Sequence, residues 1–219
     1  MIRKGSMKAY RAQRFAIDQF KGVRMDHATF IDCDFSATDL SGAEFRGCSF
    51  HDVQSGKSCN FNSALLKNTL FDRCDLTRCT FRSAVAPALA IVDCRAQEAD
   101  FRNARFLPIE SDGQLLFASR ILRSNLSHAN FSGVVLDGCH LQGNRWAGAI
   151  SIGTSFRDAL LNDGVFHPFD WSTADFSHAD LRGSVLGDLN PREVMLLEVR
   201  LDEEQIASML LRLGIVSPM

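Results

Sequence analysis

The sequence predicts an all-β solenoid, a square coil whose short sides stack along one axis, and three observations predict it. A large apolar residue recurs at every fifth position through nearly the whole chain of 219 residues. The residue two before each such centre is small, and the remaining three positions are mostly polar. Phenylalanine is used selectively: 15 of the 17 Phe fall on the five-residue lattice, and only Phe117 and Phe169 do not. A period of five fits neither the 3.6 of an α-helix nor the 2 of a flat strand. It fits a chain that turns a corner every five residues and points one large and one small side chain inward on each side. Four sides close a coil, and stacked coils pair through backbone hydrogen bonds at about 4.8 Å per layer. The ladder of stacked side chains is then the core.

The elements follow in order. Residues 1–14 form a basic N-terminal segment, and the solenoid is expected over 15–201. Phe15, Phe20, Met25, Phe30, Phe35, Leu40, Phe45 and Phe50 open the lattice. Phe50 and Phe61 are eleven apart, so the register slips by one. The polar, Gly-containing residues 51–58 between them read as a loop ejected from a corner. The lattice resumes from Phe61 to Phe106. The distance from Phe106 to Ile121 keeps phase, but Ser111 would fall on a centre and Pro108 forces an extended turn. Residues 108–120 therefore read as a second, longer loop with its tip at Glu110-Ser111-Asp112-Gly113. From Ile121 the lattice runs to Leu201, with Ser151 and Pro191 as misfits. Residues 202–219 end differently. Asp202 with Gln205 resembles a capping box, and Ile206, Met209, Leu210 and Leu213 make an apolar helical stripe closed by Gly214.

Composition excludes several functions. Lys and Arg total 24 against 26 Asp and Glu, so bulk charge does not suggest a nucleic-acid binder. No apolar run approaches the roughly 18 residues of a membrane span, and the start has no signal-like apolar region. All seven cysteines (33, 48, 59, 74, 79, 94 and 139) occupy the small inward slot. This predicts buried free thiols acting as slightly larger alanines, with no metal and no disulfide, and hence a reducing, cytoplasmic compartment. The six histidines are scattered, without zinc or HExxH spacing, and no nucleophile-elbow or phosphate-loop motif occurs. The sequence is read as non-enzymatic and cofactor-free.

The period has the A(D/N)LXX form of pentapeptide-repeat proteins, seen in Ala99-Asp100-Phe101, Ala129-Asn130-Phe131, Ala174-Asp175-Phe176 and Ala179-Asp180-Leu181. The stretches Cys33–Phe50, Leu126–Leu136, Gly143–Gly148, Leu186–Leu189 and Leu210–Ile215 resemble the Qnr class, quinolone-resistance proteins that protect DNA gyrase and topoisomerase IV. The resemblance implies a right-handed quadrilateral β-helix, two loops that contact the topoisomerase, and a homodimer formed by the C-terminal end. Carried to this chain, the contact residues are Asp52, Gln54, Ser55 and Lys57 on the first loop. On the second they are Pro108, Glu110, Ser111, Asp112, Gln114, Leu115, Leu116 and Phe117. The apolar triplet ending in Phe117 is either an anchor for the partner or a wedge that tucks the loop against the coil. Ile206, Met209, Leu210 and Leu213 are assigned to the dimer interface, although an apolar helix also caps the open last coil.

Charge suggests how a partner is met. Residues 1–25 hold seven Lys/Arg and one Asp, whereas 26–219 hold 17 Lys/Arg and 25 acids. Asp34, Asp39, Glu44, Asp75, Asp100, Asp170, Asp175 and Asp180 each stand just before a centre, an outward position. They are expected to stack into acidic columns. Resembling proteins have been described as mimics of duplex DNA, and such columns would steer the rod to a basic surface. The same acids also serve any rod as its solvated face. Duplex DNA carries one charge per about 1.7 Å, several-fold denser than this rod, so steering is favoured over full mimicry. The expected partner is a type II topoisomerase, with no direct contact to nucleic acid or membrane. A protein-interaction scaffold with no topoisomerase target is the alternative.

Overall fold

The computed structural model describes residues 8–215 apart from 107, 108, 112 and 113, with side chains described outside 107–117. The short strands are β1 (Ala9–Arg11), β2 (Arg24–Asp26), β3 (Thr29–Ile31), β4 (Glu44–Arg46), β5 (Leu70–Asp72), β6 (Ala90–Val92), β7 (Ile109–Ser111), β8 (Gln114–Phe117) and β9 (Arg120–Leu122), followed by helix α1 (Glu203–Arg212). Strands β2, β4, β5, β6 and β9 form one parallel sheet in that order, and β1 pairs with β3. Isolated parallel bridges continue the pattern on the other sides, from Arg14↔Asp34 to Asp180↔Arg200. The fold is the expected right-handed quadrilateral β-helix. Among the described residues its ladder already includes β1, before the Phe15 taken as its start, because Tyr10 occupies a lattice position and stacks on Phe30 at 4.8 Å.

The four sides of a coil are followed through their ladders. Side A carries Thr29, Ser49, Asp75, Arg95, Asn125, Arg145, Val165 and Val185. Side B carries Asp34, Asn60, Thr80, Asp100, Asn130 and Ile150. Side C carries Asp39, Leu65, Val85, Arg105, Val135, Ser155, Asp175 and Met195, and side D runs from Arg24 and Glu44 to Asp180 and Arg200. At many corners the residue three after a centre donates to the carbonyl of that centre, as Ala64 N to Phe61 O at 3.1 Å. After side D the same N–H meets a side chain of the next coil, as Cys94 N with Ser124 Oγ at 3.0 Å and Gly164 N with Ser184 Oγ at 2.9 Å. The residue before that donor takes a left-handed backbone, with φ of 57° at Ser63 and 58° at Asn103. Glycine is required at Gly47, where a Cβ would lie 2.7 Å from the His27 ring one coil away.

Inside the tube, side B holds a column of parallel rings. Phe35, Phe61, Phe81, Phe101 and Phe131 stack with successive centroids 4.7–4.8 Å apart. That spacing matches the layer rise, so the backbone ladder and the ring stack reinforce each other. All seven cysteines are free and buried in the small slots. Burial pushes the Cys59 and Cys79 thiols up, and that of Cys139 to about 12.

Candidate partner-binding surface

Bridge spacing measures the two interruptions. Coils repeat every twenty residues, but Asp34 pairs with Asn60 and Ala90 with Arg120. The first loop is therefore an insertion of six residues and the second of ten. The first leaves between sides A and B. It closes as a small antiparallel turn in which His51 pairs with Ser58, Asp52 N donates to Lys57 O at 2.8 Å and Ser55 Oγ donates to Asp52 Oδ2 at 2.6 Å. Lys57 reaches back to Asp32, and Ser58 Oγ donates to Thr77 O at 2.8 Å, fastening the loop to the next coil.

The second insertion leaves between sides C and D. Its strands β7 and β8 form an antiparallel hairpin, pairing Ile109 with Phe117 and Ser111 with Gln114. Pro108 and Asp112 lie outside the described residues, as do the side chains of Glu110, Ser111, Gln114, Leu115, Leu116 and Phe117. The expected boundary at 120 is corrected: Ser119 is buried in a small slot with its Oγ donating to Ala86 O at 2.9 Å, and Arg120 is on the ladder. Sides A–B and C–D meet at diagonally opposite corners. The two loops thus stand on opposite edges of the rod and do not converge on one pocket.

The acidic columns do not form. No two of the eight acids are neighbours on a ladder: Asp75 lies between Ser49 and Arg95, Asp175 between Ser155 and Met195, and Asp180 between Leu160 and Arg200. Asp75 and Asp180 are buried rather than outward. Turn chemistry is the reason. The side chain accepts from the backbone N–H two residues on, as Asp34 does from Ser36 at 2.9 Å and Asp100 from Arg102 at 3.1 Å. Asn60 and Asn130 make the same bond. The position selects a short side chain with an acceptor, not a charge.

Cations then occupy most of the free oxygens: Lys21 with Asp39 at 2.7 Å, Arg46 with Glu44 at 3.1 Å, Arg95 with Asp75 at 2.7 Å, Arg82 with Asp100 at 2.6 Å and Arg182 with Asp180 at 2.6 Å. Arg14 and Arg157 stand farther from Asp34 and Asp175, at 3.7 and 3.5 Å. The Lys21 ammonium holds Asp39 at about 2. At Asp100 partial burial acts in the opposite direction, but the Arg102 and Arg82 guanidiniums outweigh it and hold the group at about 2. Asp170 caps a short 3₁₀ turn instead. The excess of acid is set along the axis, which the split at residue 25 missed: residues 128–204 carry twelve carboxylates and five arginines.

Helix α1 closes the tube. Asp202 and Gln205 form the capping box, and Gln205 Nε2 donates to Leu181 O and Ser184 O, both at 2.8 Å. Arg212 donates to Leu189 O at 2.8 Å and Gly187 O at 2.6 Å. The helix therefore satisfies carbonyls of the open last coil. Met209, assigned above to a dimer interface, is half-buried and packs on the core, one turn from Gln205 on the same face. Leu213 is half-buried, and Ile206 and Leu210 remain exposed with Leu211 and Ile215. No helix among the described residues is long and apolar enough to cross a membrane.

A square parallel solenoid built on five-residue sides, with a turn-forming Asp or Asn before each large centre, defines a pentapeptide-repeat protein, and a family description for pentapeptide repeats in eight copies matches residues 19–53. The chain belongs more narrowly to the Qnr family of these proteins. It is 42% identical over 140 residues to a quinolone resistance pentapeptide repeat protein, QnrB96, of Scandinavium goeteborgense, and 45% identical over 139 residues to QnrB4 of Escherichia coli. These alignments take in 64% of this chain and 65% of each relative. The solved structure of full-length QnrB1, a plasmid-mediated fluoroquinolone resistance protein, is 44% identical and superposes with a TM-score of 0.91 over 95% of this chain and 98% of that one. HetL of Nostoc, at 16% identity and a TM-score of 0.57, shares the fold alone.

Proposed function

We propose that this chain binds a type II topoisomerase, DNA gyrase or topoisomerase IV, as a homodimer and protects it from quinolones without catalysing a reaction. The observation that carries the reading is the match to QnrB1 along nearly the whole rod, in a chain whose regular coil is broken by two outward insertions. A regular parallel ladder is rigid and chemically repetitive, so specificity has to come from what departs from it. The hairpin of β7 and β8 is inserted between two sides of the coil, and the smaller loop offers Asp52, Gln54, Ser55 and Lys57 on the opposite edge. The acid-rich half from residue 128 onward steers encounter with a basic surface. Exposed Ile206 and Leu210 on the capping helix supply the apolar contact between two copies.

Adding the purified protein to DNA gyrase, relaxed plasmid and an inhibitory concentration of ciprofloxacin tests the reading. Restored supercoiling is expected. Unchanged inhibition across a wide excess of protein over enzyme would overturn it and leave the rod as an interaction scaffold for another target.

A further inference from the structure

The two insertions differ in edge and in level, and the rod between them is continuous. All four ladders pass both breaks: Ser49 to Asn125 on side A, Asn60 to Asn130 on side B, Leu65 to Val135 on side C and Leu70 to Arg120 on side D. Bending this segment would break main-chain hydrogen bonds on one side. The first insertion is closed at its root by Cys59 N donating to Phe50 O at 3.0 Å. The hairpin is rooted between Phe106 and Ser119, both buried. The ladder from Asn60 through Thr80 to Asp100 puts two layers between the roots, about 10 Å along the axis.

Opposite walls of a tube filled by side chains stand about 10 Å apart, so the path around the outside from one corner to the diagonal one is two sides, about 20 Å. A ten-residue hairpin reaches about five residues from its root, about 17 Å, and does not fold back to the first insertion. The first insertion is fastened to its own edge. His51 Nδ1 and Ser58 Oγ lie 2.9 Å apart, Ser58 Oγ donates to Thr77 O at 2.8 Å and Lys57 pairs with Asp32. Its outer residues 53–57 are exposed, Val53 by 79%. The faces between the two edges carry ion pairs within the rod: Arg82 and Arg102 with Asp100 on one way round, Arg95 with Asp75 and Arg123 with Asp93 on the other.

A flat surface laid against a square rod meets one side with its two adjacent corners, or one corner alone. It does not meet both corners of a diagonal. Resting on the reading that both insertions contact a topoisomerase, we propose that one rod bridges two separate surfaces of that partner, the first insertion engaging one and the hairpin the other. The rod is then held between two walls of its target that face each other across the diagonal. Each insertion is a site of its own, and the rigid coil makes the second contact an intramolecular step.

Photo-crosslinking of the whole protein to DNA gyrase is the test. p-Benzoylphenylalanine stands in place of Gln54 in one variant and of Gln114 in another, and the captured gyrase segments are identified by mass spectrometry. The two positions are expected to capture different segments, on surfaces about 20 Å or more apart. A rod lacking residues 108–117 should still crosslink from position 54, with an apparent affinity at least about tenfold lower. Capture of one contiguous surface from both positions, or capture from one position only, would overturn the bridging and leave the topoisomerase reading standing. Capture from neither position with ciprofloxacin protection intact would show that the insertions are not the contacts, which also overturns it. Neither capture nor protection would bring down the topoisomerase reading itself, and the bridging with it.

Discussion

Replacing Phe101 by alanine tests the stacked core where it is most regular. Phe101 is fully buried, with parallel rings 4.8 Å away on both sides, Phe81 at 6° and Phe131 at 11°. Truncating a buried phenylalanine costs about 3–5 kcal/mol through lost transfer energy and the cavity left behind. The two ring–ring contacts belong to the upper part of that range, since each aromatic pair contributes about 0.5–1.5 kcal/mol beyond its area. A solenoid couples only neighbouring coils, so the gap cannot be shared across a wide core. We expect a loss of about 4 kcal/mol, read as a fall in Tm of roughly 8–16 °C for a chain of this size. Phe101→Leu, which keeps most of the volume, should cost under about 1.5 kcal/mol. Urea and thermal unfolding followed by circular dichroism give both numbers. A loss below about 1 kcal/mol for the alanine variant would show that the rings are not the structural column described here.

Three further outcomes follow from the geometry. Because the folded Asp100 carboxyl is held at about 2, below its ordinary value, its contribution is present above about pH 4 and is lost as pH falls from about 4 to 2. Melting curves at pH 5, 3 and 2 should show Asp100→Asn flattening that acid-side fall by on the order of 2 kcal/mol; identical profiles would contradict the ion-pair assignment. Ile206→Glu with Leu210→Glu should convert a dimer to a monomer in sedimentation velocity while the melting temperature of the rod changes little, and an unchanged dimer would move the interface elsewhere. The seven buried thiols should be inert to an aromatic disulfide reagent in the native protein and all titrate in guanidinium; rapid native reaction of any one would place it at the surface.

The fold was legible because one residue type marks one slot: the lattice of Phe15, Phe35, Phe61, Phe81, Phe101 and Phe131 needs no tertiary information to be seen. Tyr10 was on the same lattice and signalled that the ladder reaches back before Phe15. Insertions show in the sequence only by their remainder. Six residues between Phe50 and Phe61 slip the phase by one, whereas ten between Phe106 and Ile121 leave it unchanged, so the second had to be found from the unsuitable Ser111. The eight acids misled because Asp and Asn do the same work at a corner. The presence of Asn60, Asn125 and Asn130 at the equivalent position was the available signal, and it pointed to turn chemistry. The irregular step above Ser151 was signalled by two misfits, Ser151 and Phe169, but the 3₁₀ turn at Trp171–Thr173 depends on how two coils meet and could not be read from either alone.

The most direct measurement of the functional account is the ciprofloxacin dose response of gyrase supercoiling with a rod from which residues 108–117 have been removed. Deleting ten residues restores the five-residue step from Phe106 to Ile121, so the coil closes through Leu107 and Ala118 and the circular dichroism of the parent should be retained. The account predicts that the intact protein shifts the inhibition curve to higher drug and that the folded, hairpin-less rod does not. A hairpin-less rod that protects as well as the parent would contradict it.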